Sequence, residues 1–297
     1  IHVKKSWSPE YPGGRGQDIN FTLALMRWSC QTLLDINAEH QLKDPLAAEW
    51  QKIVDQLVDY QVDENGLRIG KDIPFEKPHR HYSHLLAFYP LAEITPETEA
   101  DKKLLKTSVD HWLDVTLKSG IKVKAMKATG YTCTGATSMY AWLGDGDTAL
   151  NYLNMFIQHP GVSPTTMYAE VGSNPVIESP FSYATSIHDM LLQSWGGKIR
   201  VFAGVPTSWT DVAFKDLRTQ GAFLVSSKKV AGATQFVSVK SEAGSRCVIQ
   251  PGINNAKIYI NGELAGAEQV KALGDGFYEI GLKKGETAII TPTTLTE

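Results

Sequence analysis

Apolar residues recur at helical spacing along the first two-thirds of the chain and at strand spacing along the last third. Phe21, Leu25, Trp28, Cys30, Leu33 and Leu34 predict a helix from about residue 17, with Asp18 placed to cap it. Leu46, Trp50, Ile53, Leu57 and Val58 share one side of a second helix over about 45–60, where Pro45 suits the first turn. Glu64-Asn65-Gly66 reads as a turn, and a third helix is predicted to begin after Pro78. Leu104, Leu105, Val109, Trp112, Leu113 and Leu117 predict a fourth over about 97–118, closed by Ser119-Gly120. Thr132 to Leu143 and Asp147 to His159 form a helix pair around Gly144-Asp145-Gly146, and a last helix covers about 183–195.

After Gly196-Gly197 the period changes. Lys198 to Phe202, Phe223 to Val225, Thr234 to Val239, Cys247 to Ile249, Lys257 to Ile260, Phe277 to Leu282 and Thr287 to Ile290 are short and rich in β-branched or aromatic residues. Gly, Asn and Pro punctuate them, and Asn261-Gly262 is a hairpin dipeptide. These features predict an antiparallel β-sandwich over residues 198–297. Residues 1–197 carry a hydrophobic face on almost every helix but no fixed-period repeat, which favours a closed ring of helix pairs over a solenoid. A full (α/α)6 barrel takes about a dozen helices, and about seven or eight are readable. The expectation is therefore the C-terminal portion of a barrel, its other helices supplied by a missing N-terminal half or a partner chain.

Composition narrows the function. The 297 residues are 42% hydrophobic and 21% charged, ordinary values for a folded chain with a sizeable core. The net charge of −3 and the lack of a basic stripe give no electrostatic case for nucleic acid or an anionic membrane. No uninterrupted apolar run reaches the roughly 18–20 residues of a membrane span. Cys30, Cys133 and Cys247 are odd in number and far apart, so they read as buried thiols. The sequence starts at Ile1 without a signal-peptide pattern, which suggests a processed or truncated piece. The expected location is secreted or periplasmic.

Candidate chemistry concentrates in three places. His79-Arg80-His81-Tyr82-Ser83-His84 packs three histidines and an arginine into six positions before an apolar run. Such groups are costly to desolvate unless paired. They read as a cluster that binds substrate hydroxyls or a carboxylate, or as a structural helix start. A metal reading takes His81 and His84 one turn apart with His79, but the clear metal spacings are absent. Upstream, Trp7-Ser8-Pro9-Glu10-Tyr11-Pro12 places Glu10 in a rigid aromatic loop, with Trp7 and Tyr11 of sugar-stacking type. An apolar neighbourhood there would move a carboxyl group toward general-acid behaviour. The plainer reading is an exposed loop glutamate. Downstream, Asn174-Pro175-Val176-Ile177-Glu178-Ser179-Pro180-Phe181 holds Glu178 in a loop, as a catalytic acid, a helix cap or a surface residue. Gly130 to Gly135 forms a permissive loop able to place Tyr131 in a pocket.

Taken in order, several segments resemble glycoside hydrolase family 95, the inverting α-L-fucosidases and α-L-galactosidases. They are Ser8-Pro9-Glu10, His79-Arg80-His81-x-Ser83-His84-Leu85 with Tyr89-Pro90, Asn174-Pro175 with Ile177-Glu178 and Phe181, and Met190-Leu191-Leu192-Gln193-Ser194. Val205-Pro206 with Trp209, and Leu217-Arg218 with Gly221 and Phe223, continue the likeness to about residue 225. The resemblance implies a catalytic (α/α)6 barrel followed by a β-sandwich. It makes Glu10 the match of the general acid and Arg80 and His81 the matches of residues that hold sugar hydroxyls. Glu178 falls where the family carries an aspartate, which polarises asparagines that activate the attacking water; those asparagines come from the first half of the barrel. Two departures stand out. The family's Ile-Asp-Gly-Asn-Phe-Gly is here Ile177-Glu178-Ser179-Pro180-Phe181-Ser182, and tryptophans expected around 130–135 give way to Tyr131 and Gly135.

The mechanism this implies is inverting hydrolysis by two carboxyl groups, Glu10 donating to the leaving oxygen and Glu178 acting through water. Arg80, His81, His79, His84, Trp7 and Tyr131 would surround the sugar, and no cofactor is needed. Two rival readings remain open on the sequence. One is a lyase or other barrel glycosidase on a uronate-containing glycan, with Arg80 pairing the carboxylate and Tyr131 or His81 taking the proton. The other is a carbohydrate-binding homologue without activity, favoured by the changes at Glu178 and Pro180.

Overall fold

A computed structural model describes residues 1–118, 128–165, 167–170 and 175–293. Its contacts divide into two compact units, one of 1–139 with 156–180 and the other of 140–155 with 181–297.

The first unit opens with two short strands, β1 (Ser6–Trp7) and β2 (Arg15–Gly16), paired antiparallel so that they close the Pro-rich loop carrying Glu10. Helices α1 (Asn20–Glu39) and α2 (Ala47–Gln56) follow, then a small hairpin of β3 (Val62–Asp63) and β4 (Gly66–Leu67), then α3 (Glu99–Lys118). Thr98 starts α3 as expected of a capping residue. Its hydroxyl accepts from Asp101 N at 3.1 Å and donates to the Asp101 carboxylate at 2.6 Å. The predicted closure of this helix at Ser119-Gly120 lies outside the described residues.

Asp18 does not cap α1. The helix starts from Ile19 without a side-chain cap. The buried Asp18 carboxylate instead accepts from Val3 N and meets His2 Nδ1, each at 2.8 Å, tying down the start of the chain. A short carboxylate that finds a buried amide elsewhere has no reason to turn back to the helix. Nor does a helix follow Pro78. Residues 83–85 make a single 3-10 turn and the chain continues through further turns to residue 91. Leu85, Ala87, Phe88 and Tyr89 are all buried within these turns. Pro90 ends any helix within two turns by lacking its donor.

Helices α4 (Gly130–Trp142) and α5 (Gly146–Ile157) form the predicted pair. Gly144 takes the left-handed φ of 79° at the end of α4, and Asp145 caps α5 by accepting Thr148 N at 3.0 Å. α4 is buried on nearly every side, and its small polar residues turn back onto their own helix, Thr137 donating to Cys133 O at 2.9 Å. α6 (Glu178–Leu191) begins five residues before the predicted start, so Glu178 is its first residue rather than a loop residue.

The second unit holds the β-rich part. Its strands are β5 (Leu192–Gln193), β6 (Ile199–Val201), β7 (Val212–Thr219), β8 (Phe223–Val230), β9 (Ala233–Ser241), β10 (Arg246–Gln250), β11 (Lys257–Ile260), β12 (Glu263–Leu264), β13 (Val270–Gly274), β14 (Phe277–Gly281) and β15 (Thr287–Thr291). They form two sheets, ordered β13-β14-β10-β6-β5 and β12-β11-β15-β9-β8-β7. Both contribute to one buried cluster, with Ile249 and Ile280 from the first and Val225, Val237, Val239 and Ile290 from the second. Asn261-Gly262, both at positive φ, joins β11 to β12 as the two-residue turn its sequence predicts.

One pairing departs from the antiparallel expectation. β6 runs parallel to β10, Ile249 opposite Ile199, because the chain crosses to the other sheet for β7–β9 before returning. Four strands of this unit escaped prediction, the two-residue β5 and β12 and the longer β7 and β13. β7 carries a register shift between Phe214 and Leu217, with Asp216 at φ 53°, and this breaks its alternation. β13 is an edge strand with almost no buried face.

The predicted last helix stops at Leu191, and the Leu192-Gln193 pair becomes β5. The buried Gln193 amide donates to Ala141 O at 2.8 Å and to Asp189 O at 3.0 Å, and its oxygen accepts Trp195 Nε1 at 3.0 Å.

The shared core sets a stability prediction. Ile249→Ala should lower the unfolding free energy by roughly 2–5 kcal/mol, since Ile249 is fully buried. Leu273→Ala, on the exposed edge strand, should change it by under about 0.5 kcal/mol. Urea titration of both variants checks the contrast.

Candidate active site

The Glu10 loop is rigid for reasons visible in its bonds. Ser8 N donates to Gly14 O at 2.8 Å and Gly14 N to Tyr11 O at 2.9 Å, folding residues 8–14 on themselves. Tyr11 is buried beneath the loop, where its hydroxyl accepts Glu76 N and Lys77 N at 3.0 Å each and donates to Pro74 O at 3.2 Å. The buried hydroxyls of Ser8 and Ser83 meet at 2.8 Å and join this loop to the histidine segment. Glu10 itself has φ 58°, a left-handed conformation that costs a non-glycine residue about 1 kcal/mol or more. The surrounding bonds hold it there.

The histidine segment is fixed by its carbonyls. Trp112 Nε1 and Thr116 Oγ1, both on α3, donate to His79 O at 2.9 and 3.0 Å. Thr132 Oγ1 on α4 donates to Arg80 O at 2.8 Å. Two bonds from one helix and one from the next thus set the side chains that follow. Arg80 Nη2 lies 2.9 Å from Glu10 Oε2, and His81 Nε2 approaches the same oxygen at 3.0 Å. The His81 approach is off the line of its ring N–H, so it is an electrostatic contact and not an aligned hydrogen bond. Arg80 Nε lies 3.7 Å from Glu170 Oε2. The apolar surroundings expected for Glu10 are absent; its side chain is 52% exposed and faces a cation.

The remaining candidates fall into separate groups. His79 and His84 are buried behind this surface. Burial, helped by His81 and Arg80, lowers the His79 pKa to about 4. Burial and then His79 and His111 hold His84 well below the usual histidine range. His81 is also lowered, by burial first and Arg80 second. Phe75 stacks on His84 at 4.4 Å, which marks that ring as part of the packing. Among the described residues no group of three or more His, Cys, Asp or Glu is arranged to hold a metal.

Tyr131, on the first turn of α4, stacks flat on Tyr82 at 5.2 Å and lies 5.6 Å from the His81 ring. The stack depends on Gly135, where a Cβ would fall 2.2 Å from the Tyr82 ring. A cleft of about 200 Å³ opens here, lined by Pro9, Glu10, Phe21, His81, Tyr82, Ser83, Leu86 and Tyr131. Trp7 is half-exposed on β1 and outside that lining. Glu178 is exposed at the start of α6, outside the lining and without an ion pair among the described residues. Asn174 lies outside the described residues.

The structure thus brings Glu10, Arg80, His81 and Tyr131 together and adds Glu170, Phe21, Tyr82 and Ser83, which the sequence did not single out. Half-exposed ion pairs contribute only about 0–1 kcal/mol to stability. A strained glutamate, a pinned arginine and an aromatic floor are better explained by binding and chemistry than by folding.

Comparison with known proteins gives the family of the chain. Residues 1–191 match the glycosyl hydrolase family 95 catalytic domain. The chain belongs to that family. A crystal structure of a GH127 β-L-arabinofuranosidase from Geobacillus stearothermophilus T6 is similar at 12% identity and a TM-score of 0.23, over 91% of this chain and 40% of that one. The chain thus spans less than half the length of that enzyme. No curated protein matches the chain by sequence.

The buried histidines give a pH prediction. A histidine whose folded pKa is about 4 and whose unfolded value is about 6.5 takes up its proton first in the unfolded chain. Stability is full above about pH 6.5 and falls on acidification toward pH 4, by at most about 3 kcal/mol for His79. Urea midpoints at pH 7.5 and 5.0 should show this decline, and His79→Gln should reduce it. An equal decline in the variant would assign it to other groups.

Proposed function

We propose that this chain is part of a glycoside hydrolase that releases a terminal α-L-fucosyl or α-L-galactosyl-type sugar with inversion at the anomeric carbon. The observation that carries the reading is Glu10, held between Arg80 and His81 at the mouth of an aromatic cleft in a family 95 chain. Glu10 is the proposed general acid. A sugar that fills the cleft and expels its water leaves Glu10, still directed by Arg80 Nη2, facing the glycosidic oxygen, the arrangement in which a carboxyl group can hand over its proton. Arg80 and His81 hold sugar hydroxyls and reject analogues that lack them, since their own donors would then be left unpaired. Tyr131 and Tyr82 supply the apolar floor against a sugar face. His79 and His84 act from behind as packing for the segment.

Glu178 is the proposed counterpart on the far side of the bond, acting through water with asparagines from another part of the protein. The reading carries with it an (α/α)6 barrel to which these helices contribute, completed by a further segment of the same protein or by a partner chain. Exposed Trp28, Leu33 and Ile36 on α1, and the lack of any buried residue in α2, support such a neighbour. A secreted or periplasmic setting fits an enzyme for extracellular glycans.

A second reading has one observation in its favour. Glu178 is exposed and unpaired among the described residues, and a carbohydrate-binding homologue without turnover needs no base there.

Proton NMR of the full-length protein with α-L-fucosyl and α-L-galactosyl oligosaccharides separates the two. The expected result is release of a sugar whose β-anomer appears first. Glu10→Gln and Glu178→Gln should each slow release by about 10²–10⁴-fold with the fold intact. Full activity in either variant removes that residue from its role, and binding without release favours the second reading.

A further inference from the structure

Glu170 is a carboxylate that no motif in the sequence marks, and its surroundings are built with care. It follows Tyr168 and Ala169, whose backbones are pinned on both sides. Ala169 N donates to Gly161 O at 2.9 Å and Val176 N donates to Tyr168 O at 2.8 Å. The Tyr168 hydroxyl accepts Gly130 N at 2.7 Å at the start of α4. Two glycines make this approach possible. A Cβ on Gly130 would fall 2.8 Å from the Tyr168 ring, and a Cβ on Gly161 would fall 2.2 Å from Ala169 O. The segment therefore delivers Glu170 to a fixed place, where its side chain is only 17% exposed.

Its neighbour there is the Nε end of Arg80, at 3.7 Å, while Nη2 of the same guanidinium meets Glu10 at 2.9 Å. The guanidinium is planar and rigid, and Nε and Nη2 share one edge. Fixing one end of that edge fixes the direction of the other. The backbone of Arg80 is already held by Thr132, so Glu170 removes the remaining freedom at the far end of a long side chain.

We propose that Glu170 is a positioning residue for Arg80, holding the Nε end of the guanidinium so that Nη2 orients the Glu10 carboxyl toward the cleft. This rests on the glycosidase reading for its catalytic consequence but not for its geometry. Without Glu170 the guanidinium turns among several poses, and Glu10 loses its fixed direction although both residues remain. The loss falls on the chemical step more than on binding, because His81 and the aromatic floor still hold the sugar while the direction of Glu10 counts only in the transition state.

Two measurements on the full-length protein test this. In a ¹⁵N-labelled sample the Arg80 Nε–H signal is assigned by its disappearance in Arg80→Lys. Its exchange with solvent should be about tenfold faster in Glu170→Gln than in the wild type, and intermediate in Glu170→Asp, which keeps the charge one methylene short. In hydrolysis, Glu170→Gln should lower kcat by about tenfold with KM within about threefold, and Glu170→Asp should recover part of it. Unchanged exchange and unchanged kcat in Glu170→Gln would overturn the proposal. If Glu170→Gln does not fold, unchanged Arg80 exchange in Glu170→Asp would overturn it equally. A wild type that hydrolyses none of the sugars but shows the exchange difference would sink the glycosidase reading and sustain the placement of Glu170.

Discussion

The cleft depends on a few carbonyl oxygens. Residues 79 and 80 belong to no helix or strand, so no ladder of backbone bonds holds them. Their carbonyls are held instead by Trp112, Thr116 and Thr132, side chains that reach out from α3 and α4. A buried carbonyl without a partner is costly, and these bonds answer that cost while deciding where Arg80 and His81 point. The Glu10 loop is built on the same plan, with the Tyr11 hydroxyl and the Ser8–Ser83 contact in place of a ladder. Two irregular segments are thus presented to each other by regular ones.

That plan explains which parts could be read from the sequence. The α4–α5 pair was legible because its turn has both a left-handed glycine and a capping aspartate, two local devices with one meaning. Most strands of the second unit were legible from β-branched runs between turn residues, whereas β7 hides behind a bulge and β13 has no buried face to betray it. The segment after Pro78 misled because its apolar run reads as a helix, while Pro90 leaves room for no more than short turns.

The site was legible in the same uneven way. Glu10, Arg80 and His81 stood out through dense motifs, and the structure sets Arg80 Nη2 and His81 Nε2 2.9 and 3.0 Å from the same Glu10 oxygen. Glu170 carried no such mark. Its placement comes from Tyr168 packing into the space left by Gly130 and Gly161, residues whose relation is visible only in three dimensions. The left-handed Glu10 was equally hidden, since nothing in Ser-Pro-Glu requires a positive φ.

The charges around Arg80 bear on the kind of sugar the cleft suits. One guanidinium faces two carboxyl groups, Glu10 and Glu170, while burial and then Arg80 lower the pKa of His81 beside them. A uronate entering this site would find its natural partner, the Arg80 guanidinium, already engaged by two carboxyl groups. Hydroxyl groups, by contrast, can accept from Arg80 and donate to Glu10 or Glu170 without adding charge. A lyase acting on uronates needs a free cation to meet its substrate, and here the cation is already shared between the two carboxylates.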